Sequence, residues 1–390
     1  MGFYDWMIWT QRYINGTLGL SVPKNTNPLR FGVLGAADFS PVGLFDPAST
    51  HPDVLVVAIG ARSLAKAQAQ ASKWNIPLAF GSYQEVLDQP DIDAVYIPLP
   101  IAHHAEWTIK AVRAGKHVLC EKSLCCNQDE ARAVQKAARE TGKVVLEAFH
   151  WQFHPVNHVL KTLVDSGKFG RMQSIVTEMR TVFAHTPDDI RLKYEMGGGA
   201  CLDLAYVFSG LRYFVGSKGE FVVTRTKPTL YPNDKRVDYK MEADLDFHPD
   251  NGEPAIHCKA IADLTQPRIL GIIPTIEPPR LKIEFEYATV KLDGWVAPHY
   301  PHNLLITDKR TNITAKQKHY NFGPKWQAIG ETYWTTYRYQ LEAFVMKVRG
   351  LEPPHWIDLE ESVEVLGIIG DVYEHAGMAW RGKTVEEMSV

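Results

Sequence analysis

The chain is short of cysteine, of net charge and of long apolar runs, and each shortage removes a class of protein. Five cysteines in 390 residues, an odd number and widely scattered, do not make a disulfide framework; they favour a reducing compartment, expected to be the cytoplasm. Cys125 and Cys126 are adjacent, with no second pair at zinc spacing, so they read as packing thiols. A formal net charge of −3 offers no grip on nucleic acid or an anionic membrane surface. No segment has the unbroken apolar length of a membrane span, and none is repeated or of low complexity. The N-terminus lacks a basic region followed by a small-residue cleavage site, so it does not read as a secretory signal. Without one, the sequons Asn15-Gly16-Thr17 and Asn312-Ile313-Thr314 carry little weight.

What is present points to two domains behind an N-terminal extension and linker, residues 1–28. In the extension, Trp6, Met7, Ile8, Trp9, Tyr13, Ile14 and Leu18 form one apolar helical face, interrupted by Asp5, Gln11 and Arg12. An arm packed on the body or on a partner subunit is the favoured role, with a membrane-surface anchor as the alternative. Residues 29–148 alternate strand and helix patterns, which predicts a doubly wound parallel sheet, the Rossmann dinucleotide-binding architecture. Residues 149–390 read as an α+β domain, with a large, mostly antiparallel open-faced sheet built from runs such as Lys240–Phe247, Ile256–Asp263 and Lys282–Tyr287.

The first strand, ending Val33-Leu34, runs into Gly35-Ala36-Ala37-Asp38-Phe39-Ser40, a degenerate dinucleotide fingerprint. Glycine at its first position permits a tight turn; Ala37 and Ser40 stand where two further glycines are usual, and small side chains still let backbone approach a pyrophosphate. The second strand, Val54 to Ile59, ends in Gly60-Ala61-Arg62-Ser63. The acid that would bond a ribose 2′-hydroxyl is missing there, and a cation plus a hydroxyl suit a 2′-phosphate, so NADP is preferred over NAD. An ordinary surface arginine before the next helix is the alternative for Arg62. Further on, Pro98-Leu99-Pro100 closes a strand in a rigid turn with few backbone donors, a ledge for the cofactor. His117-Val118-Leu119-Cys120 is a strand ending on Glu121-Lys122, and open parallel sheets bind ligands beyond such ends. A lysine partly desolvated there is suited to proton transfer; a surface ion pair is the bland alternative.

His150, His154 and His158 recur every four residues, but Pro155 interrupts the face they would share, so a metal is not expected. Adjacent His103 and His104 point to different faces of a helix, which suits packing rather than a shared ion. Trp295, His299, Tyr300 and His302 cluster on a loop, either lining a pocket or covering a sheet edge.

Taken together, Tyr96-Ile97-Pro98-Leu99-Pro100, Ala114 to Lys122, Glu147 to Pro155, Gly197 to Leu204 and Thr335 to Phe344 resemble the glucose–fructose oxidoreductase and inositol dehydrogenase family of NAD(P)-dependent enzymes. Within it the chain is most similar to fungal NADP-dependent D-xylose 1-dehydrogenases and to dimeric dihydrodiol dehydrogenases. The resemblance implies that Lys122 moves the proton, with Glu121 positioning it, and that Asp203 follows the glycine triplet as a second catalytic residue. A histidine or tyrosine four residues past that aspartate is usual; here the position is Val207. Tyr206 is one residue earlier, about 100° round a continuous helix, so either the helix is shifted or the relay is altered. Ser123, Ile101 and Gln152 are further departures, at positions where proline, asparagine and arginine are usual.

The expected cofactor group is thus Gly35, Ala36, Ala37, Asp38, Phe39, Ser40, Ala61, Arg62, Ser63, Pro98, Leu99, His104, Glu121 and Lys122. The expected substrate group is His150, Trp151, Asp203 and Tyr206. The implied activity is NADP-dependent hydride transfer at a sugar or diol hydroxyl, in a homodimer. Two alternatives stay open: a retained NAD(P) serving glycoside cleavage or isomerisation, and a non-catalytic NADP-binding sensor.

Overall fold

This computed structural model describes residues 3–14, 16–181, 186, 188–265, 268–269, 273–274 and 277–383. The chain divides into two compact units, neither a single stretch of sequence. The first comprises residues 1–124, 131–154 and 320–362; the second comprises 125–130, 155–319 and 363–390.

In the first unit, strands β1 (Leu29–Leu34), β2 (Val54–Gly60), β3 (Leu78–Phe80), β4 (Ala94–Ile97), β5 (His117–Cys120) and β6 (Val145–Glu147) form one sheet. Their order is β3-β2-β1-β4-β5-β6 and every pairing is parallel, the Rossmann arrangement expected of the sequence. β1 and β4 read as continuous apolar runs because both faces of a central parallel strand are covered. β3 has only three residues and little alternation, too short to give a period. Helix starts follow side-chain caps: Ser63 accepts from Lys66 N and Ser82 from Glu85 N. The helix Thr336–Val348 belongs to this unit as well, with Phe344 against Phe31 of β1 at 5.7 Å and Arg349 paired with Asp53.

The N-terminal helix, Phe3–Ile14, is held through its polar side. Arg12 donates to Leu20 O at 3.1 Å and is ion-paired with Asp46. Of the apolar stripe, Trp6, Trp9 and Tyr13 are exposed, with the last two stacked at 5.2 Å, so these three do not pack on the body of this chain. Asn15, of the first sequon, lies outside the described residues.

The second unit holds an eight-stranded sheet in the order β16-β15-β14-β13-β7-β10-β9-β8. Its strands are β7 (Met172–Arg180), β8 (Gly219–Tyr231), β9 (Asp234–Pro249), β10 (Ile256–Asp263), β13 (Arg280–Phe285), β14 (Ala288–Asp293), β15 (Asn303–Asp308) and β16 (Thr314–Gln317). Arg268–Ile269 (β11) and Ile273–Pro274 (β12) pair separately. All pairings in the large sheet are antiparallel except β7 with β10. One face carries the apolar residues, among them Ile175, Ala243, Leu245, Ile283 and Val290, all buried. The other carries charge pairs such as Lys240–Glu242 and Lys282–Glu284, which suits an open face.

At Gly60 the end of β2 passes so close to the next loop that an added Cβ would lie 2.5 Å from Ser82 O and 2.6 Å from Val86 Cγ2. Because one of those atoms is backbone, relief requires the loop to move. Gly60→Ala is expected to lower stability by about 1–3 kcal/mol, read as a reduced urea midpoint; an unchanged midpoint would mean the loop yields freely.

Candidate active site

The carboxyl ends of β1, β4, β5 and β6 gather most of the expected first-unit residues. Gly35 leaves β1 with φ 125°, a conformation glycine tolerates, and its N donates to Gly60 O at 2.8 Å. A Cβ there would lie 3.0 Å from Leu99 Cδ2, so the fingerprint turn and the Pro98-Leu99 ledge touch. Ala37 O accepts from Gln70 Nε2 at 2.9 Å, which pins the turn from the following helix. Asp38 is exposed, Phe39 is half-buried and Ser40 is buried. Pro41–Phe45 then forms a π turn that runs into the helix Asp46–Ser49.

Glu121 and Lys122 lie just past β5. The Glu121 carboxyl is buried, which raises its pKa, while a hydrogen bond from Tyr96 and the charge of Lys122 oppose the rise. Tyr96 OH donates to Glu121 Oε1 at 2.7 Å. Gly43 makes room for that hydroxyl, since a Cβ there would come within 2.1 Å of it. The Lys122–Ser123 peptide bond is cis, at the position where serine replaces the proline expected from the resemblance.

The loop beyond Lys122 is held by two further buried groups. Glu147, the last residue of β6, accepts from Leu124 N at 2.8 Å. Its burial raises the carboxyl pKa to about 7, with the nearby Glu361 adding to the rise and Lys122 opposing it. The His104 ring spans two carbonyls, Nδ1 lying 2.7 Å from Ser123 O and Nε2 2.7 Å from Leu99 O. Burial pushes its pKa down to about 4, so at neutral pH the single ring N–H donates to one carbonyl at a time. His104 therefore ties the cofactor ledge to the lysine loop.

Arg62 and Ser63 sit apart from this cluster, exposed at the end of β2. Ser63 caps the helix Leu64–Trp74, and Arg62 lies beside the Tyr83 hydroxyl. Ala61 is buried and its N donates to Phe80 O at 3.2 Å.

His150 opens a single 3-10 turn, His150–Phe153, after β6, and its Nδ1 lies 2.7 Å from Thr336 Oγ1. Its ring packs on Tyr337 at 3.9 Å, and Tyr337 meets Phe39 of the fingerprint turn at 5.7 Å. Trp151, expected among the substrate residues, is wholly buried. Thr336 and Tyr337 fall in the resembling stretch Thr335 to Phe344 but were given no site role, because nothing local ties the segment 320–362 to His150.

In the second unit, Asp203 ends the one-turn helix Ala200–Asp203, and its carboxylate is paired with Arg191 Nε at 3.3 Å. Arg191, unassigned from sequence, is also paired with Asp189 in the polar loop ahead of the glycine turn. Tyr206 opens a separate helix, Tyr206–Val215, with Leu204 and Ala205 between. Asp203 and Tyr206 therefore do not share a continuous helix, which breaks after Asp203 and restarts, whereas Tyr206 and Val207 are neighbours in the second one. Val207 is fully buried, and its carbonyl accepts from Thr177 Oγ1 at 2.9 Å. Tyr206 is 5% exposed.

Residues 29–149 match the model of the oxidoreductase family with an NAD-binding Rossmann fold that takes in the glucose–fructose oxidoreductases and inositol dehydrogenases. The chain is similar to the D-xylose 1-dehydrogenase (NADP(+)) 2 of Haloferax volcanii, with 31% identity over 89% of this chain and 97% of that one. It is also similar to the trans-1,2-dihydrobenzene-1,2-diol dehydrogenase of Xenopus laevis, with 36% identity over 46% of this chain and about half (52%) of that one. The crystal structure of a 3-ketoreductase from Actinomadura kijaniata, in complex with NADP and TDP-benzene, has the same fold, with a TM-score of 0.73, 23% identity, and 90% of this chain and 98% of that one covered.

Glu147 gives the first unit a pH signature. Its folded pKa, about 7, lies above the ~4.3 of an unfolded carboxyl, so the native state binds more protons between those values. Its contribution to stability is best below about pH 4, falls as the pH rises, and is poorest above pH 7. Glu147→Gln does not titrate. Its stability relative to the parent should rise between pH 5 and pH 8 by up to about 3 kcal/mol in denaturant titrations, and a pH-independent difference would refute the burial argument.

Proposed function

The chain belongs to the oxidoreductase family with an NAD-binding Rossmann fold, and from that premise we propose an NADP-dependent enzyme that transfers hydride at a hydroxyl of a sugar or diol. The observation that carries the reading is the Lys122 loop, set at the carboxyl edge of the parallel sheet and tied by His104 to the Pro98-Leu99 ledge.

The residues present fit the dinucleotide. The Gly35 turn has φ 125° and packs against Leu99 where a Cβ would stand, a tight turn of the kind that brings backbone close to a pyrophosphate. Gly35, Ala36, Ala37, Asp38, Phe39 and Ser40 would hold the phosphates; Ala61, Arg62 and Ser63 would hold the adenosine end, with the exposed Arg62 on the 2′-phosphate. Pro98, Leu99 and Glu121 would support the nicotinamide end, and His104 would hold that ledge in place. Bound NADP supplies the hydride acceptor, or as NADPH the donor.

The chain's own part is proton transfer and orientation. Lys122 Nζ would take the hydroxyl proton during oxidation and return it during reduction. Glu121, fixed by Tyr96, would restrain the lysine. Asp203 would accept a hydrogen bond from a second substrate hydroxyl, with Tyr206 relaying the proton. His150 would line the substrate region, with Trp151 as buried support beneath it. We extend the reading to a homodimer, as the resemblance implies, and to the cytoplasm, since the five cysteines are buried and none forms a disulfide, as a reducing compartment allows. No helix among the described residues is long and apolar enough to cross a membrane.

Lys122→Met is expected to lower kcat by about 10²- to 10⁴-fold with NADP affinity nearly unchanged, followed as NADP-dependent absorbance across pentoses, hexoses and trans-diols. Undiminished turnover would remove the lysine from the mechanism. Arg62→Ala should weaken NADP about tenfold or more and leave NAD within a few-fold in binding titrations; equal losses would refute the 2′-phosphate assignment.

A further inference from the structure

The helix that ends on Asp203 cannot cap itself. Ala200–Asp203 is one turn long, and its N-cap is Gly199, which has φ 141° and no side chain. The cap comes instead from β9, where Asp238 Oδ2 accepts from Cys201 N at 2.8 Å. A Cβ on Gly199 would lie 2.1 Å from Asp238 Oδ1, so the bare glycine is what admits the carboxylate.

Asp238 is fully buried, and a buried carboxylate needs a partner and satisfied lone pairs. Arg381, near the C-terminal end of the described chain, supplies both. Its Nη2 donates to Asp238 Oδ1 at 2.7 Å and to Arg236 O at 3.0 Å, and its Nε donates to Gly198 O at 2.7 Å. Tyr373 OH donates to the same Oδ1 at 3.0 Å, and its ring lies 4.1 Å from the guanidinium. Asn127 Nδ2 donates to Arg381 O at 2.7 Å, which holds the segment in place. One arginine thus grips the glycine turn at Gly198 and, through Asp238, the second amide of the Asp203 helix. The turn's other side is fixed by Gly199 N donating to Arg191 O at 3.0 Å, and Arg191 itself is paired with Asp203.

We propose that Arg381, acting through Asp238, is a positioning residue for Asp203: the C-terminal segment fixes this substrate-orienting carboxylate by locking the glycine turn and the helix start. This rests on the role given to Asp203 above. A structural ion pair alone would set stability and leave substrate handling untouched, and kinetics separate the two.

The test compares Arg381→Lys, Asp203→Asn and the double variant, with NADP affinity measured alongside. Arg381→Lys keeps the charge and loses the forked donors. It should lower kcat/KM about 10- to 100-fold, mainly through KM, with NADP affinity within about twofold. The double variant should be no worse than Asp203→Asn, because the arginine acts through that carboxylate. Losses that multiply, or kinetics matching the parent with only a lower melting temperature, would overturn the proposal. Should Arg381→Lys fail to fold, Tyr373→Phe removes one hydroxyl from the same carboxylate and carries the same cycle, with an expected loss of about threefold to tenfold. Absence of NADP-linked turnover in the parent would defeat the enzymatic reading itself. Amide exchange over residues 197–204 then decides the positioning: faster exchange in either variant supports it, and unchanged protection overturns it.

Discussion

Three buried polar groups hold the loop that follows β5, and the arrangement of the first unit's site depends on them. Glu121 takes a hydrogen bond from Tyr96, Glu147 accepts from Leu124 N, and His104 lies between Ser123 O and Leu99 O. Each is costly to leave unsatisfied, since an unmet buried donor or acceptor costs about 1–3 kcal/mol and a charged one more. The loop therefore has few conformations that meet all three needs. Lys122, half-buried between them, inherits a defined place from groups that take no part in the proton transfer proposed for it.

The second unit solves a similar problem by other means. A turn that carries Asp203 has to bend sharply, so glycines fill it: Gly197 with φ 77° and Gly199 with φ 141°. Gly198 is packed so closely that a Cβ would lie 2.7 Å from the carbonyls of both Arg191 and Lys193. Glycine brings no side chain to hold such a turn, and the stiffness is imported from Asp238, Arg381 and Tyr373. In both units, then, the residues given chemical roles sit on short irregular segments that are made rigid by buried polar partners.

Much of the fold was legible because parallel and antiparallel strands write different patterns. Continuous apolar runs marked β1, β2, β4, β5 and β6, and the Gly35 turn and Lys122 stood at strand ends where the period stops. β3 and β16 were not legible: one has three residues, and the other, Thr-Ala-Lys-Gln, is exposed or half-buried throughout. Side-chain partners resisted sequence reading for a different reason. Thr336, Tyr337 and Arg381 are distant in sequence from the residues beside which they lie, and no local period refers to a contact nearly two hundred residues away, as between His150 and Thr336. Arg191 is close in sequence to Asp203, but an irregular loop has no period to show which way it turns.

The sequence by itself determined the class of architecture, because strand periodicity distinguishes a buried parallel sheet from an open antiparallel one, and it marked the strand ends that carry the Gly35 turn and Lys122. Tertiary structure alone decided three things. It left Trp6, Trp9 and Tyr13 of the N-terminal stripe exposed while half-buried Arg12 pairs with Asp46, an orientation that a helical period alone does not choose. It broke the helix between Asp203 and Tyr206, which a 3.6-residue period cannot foresee. And it brought Arg381 to Asp238, because a buried carboxylate takes whichever cation the folded chain can deliver, however far along the sequence that cation lies.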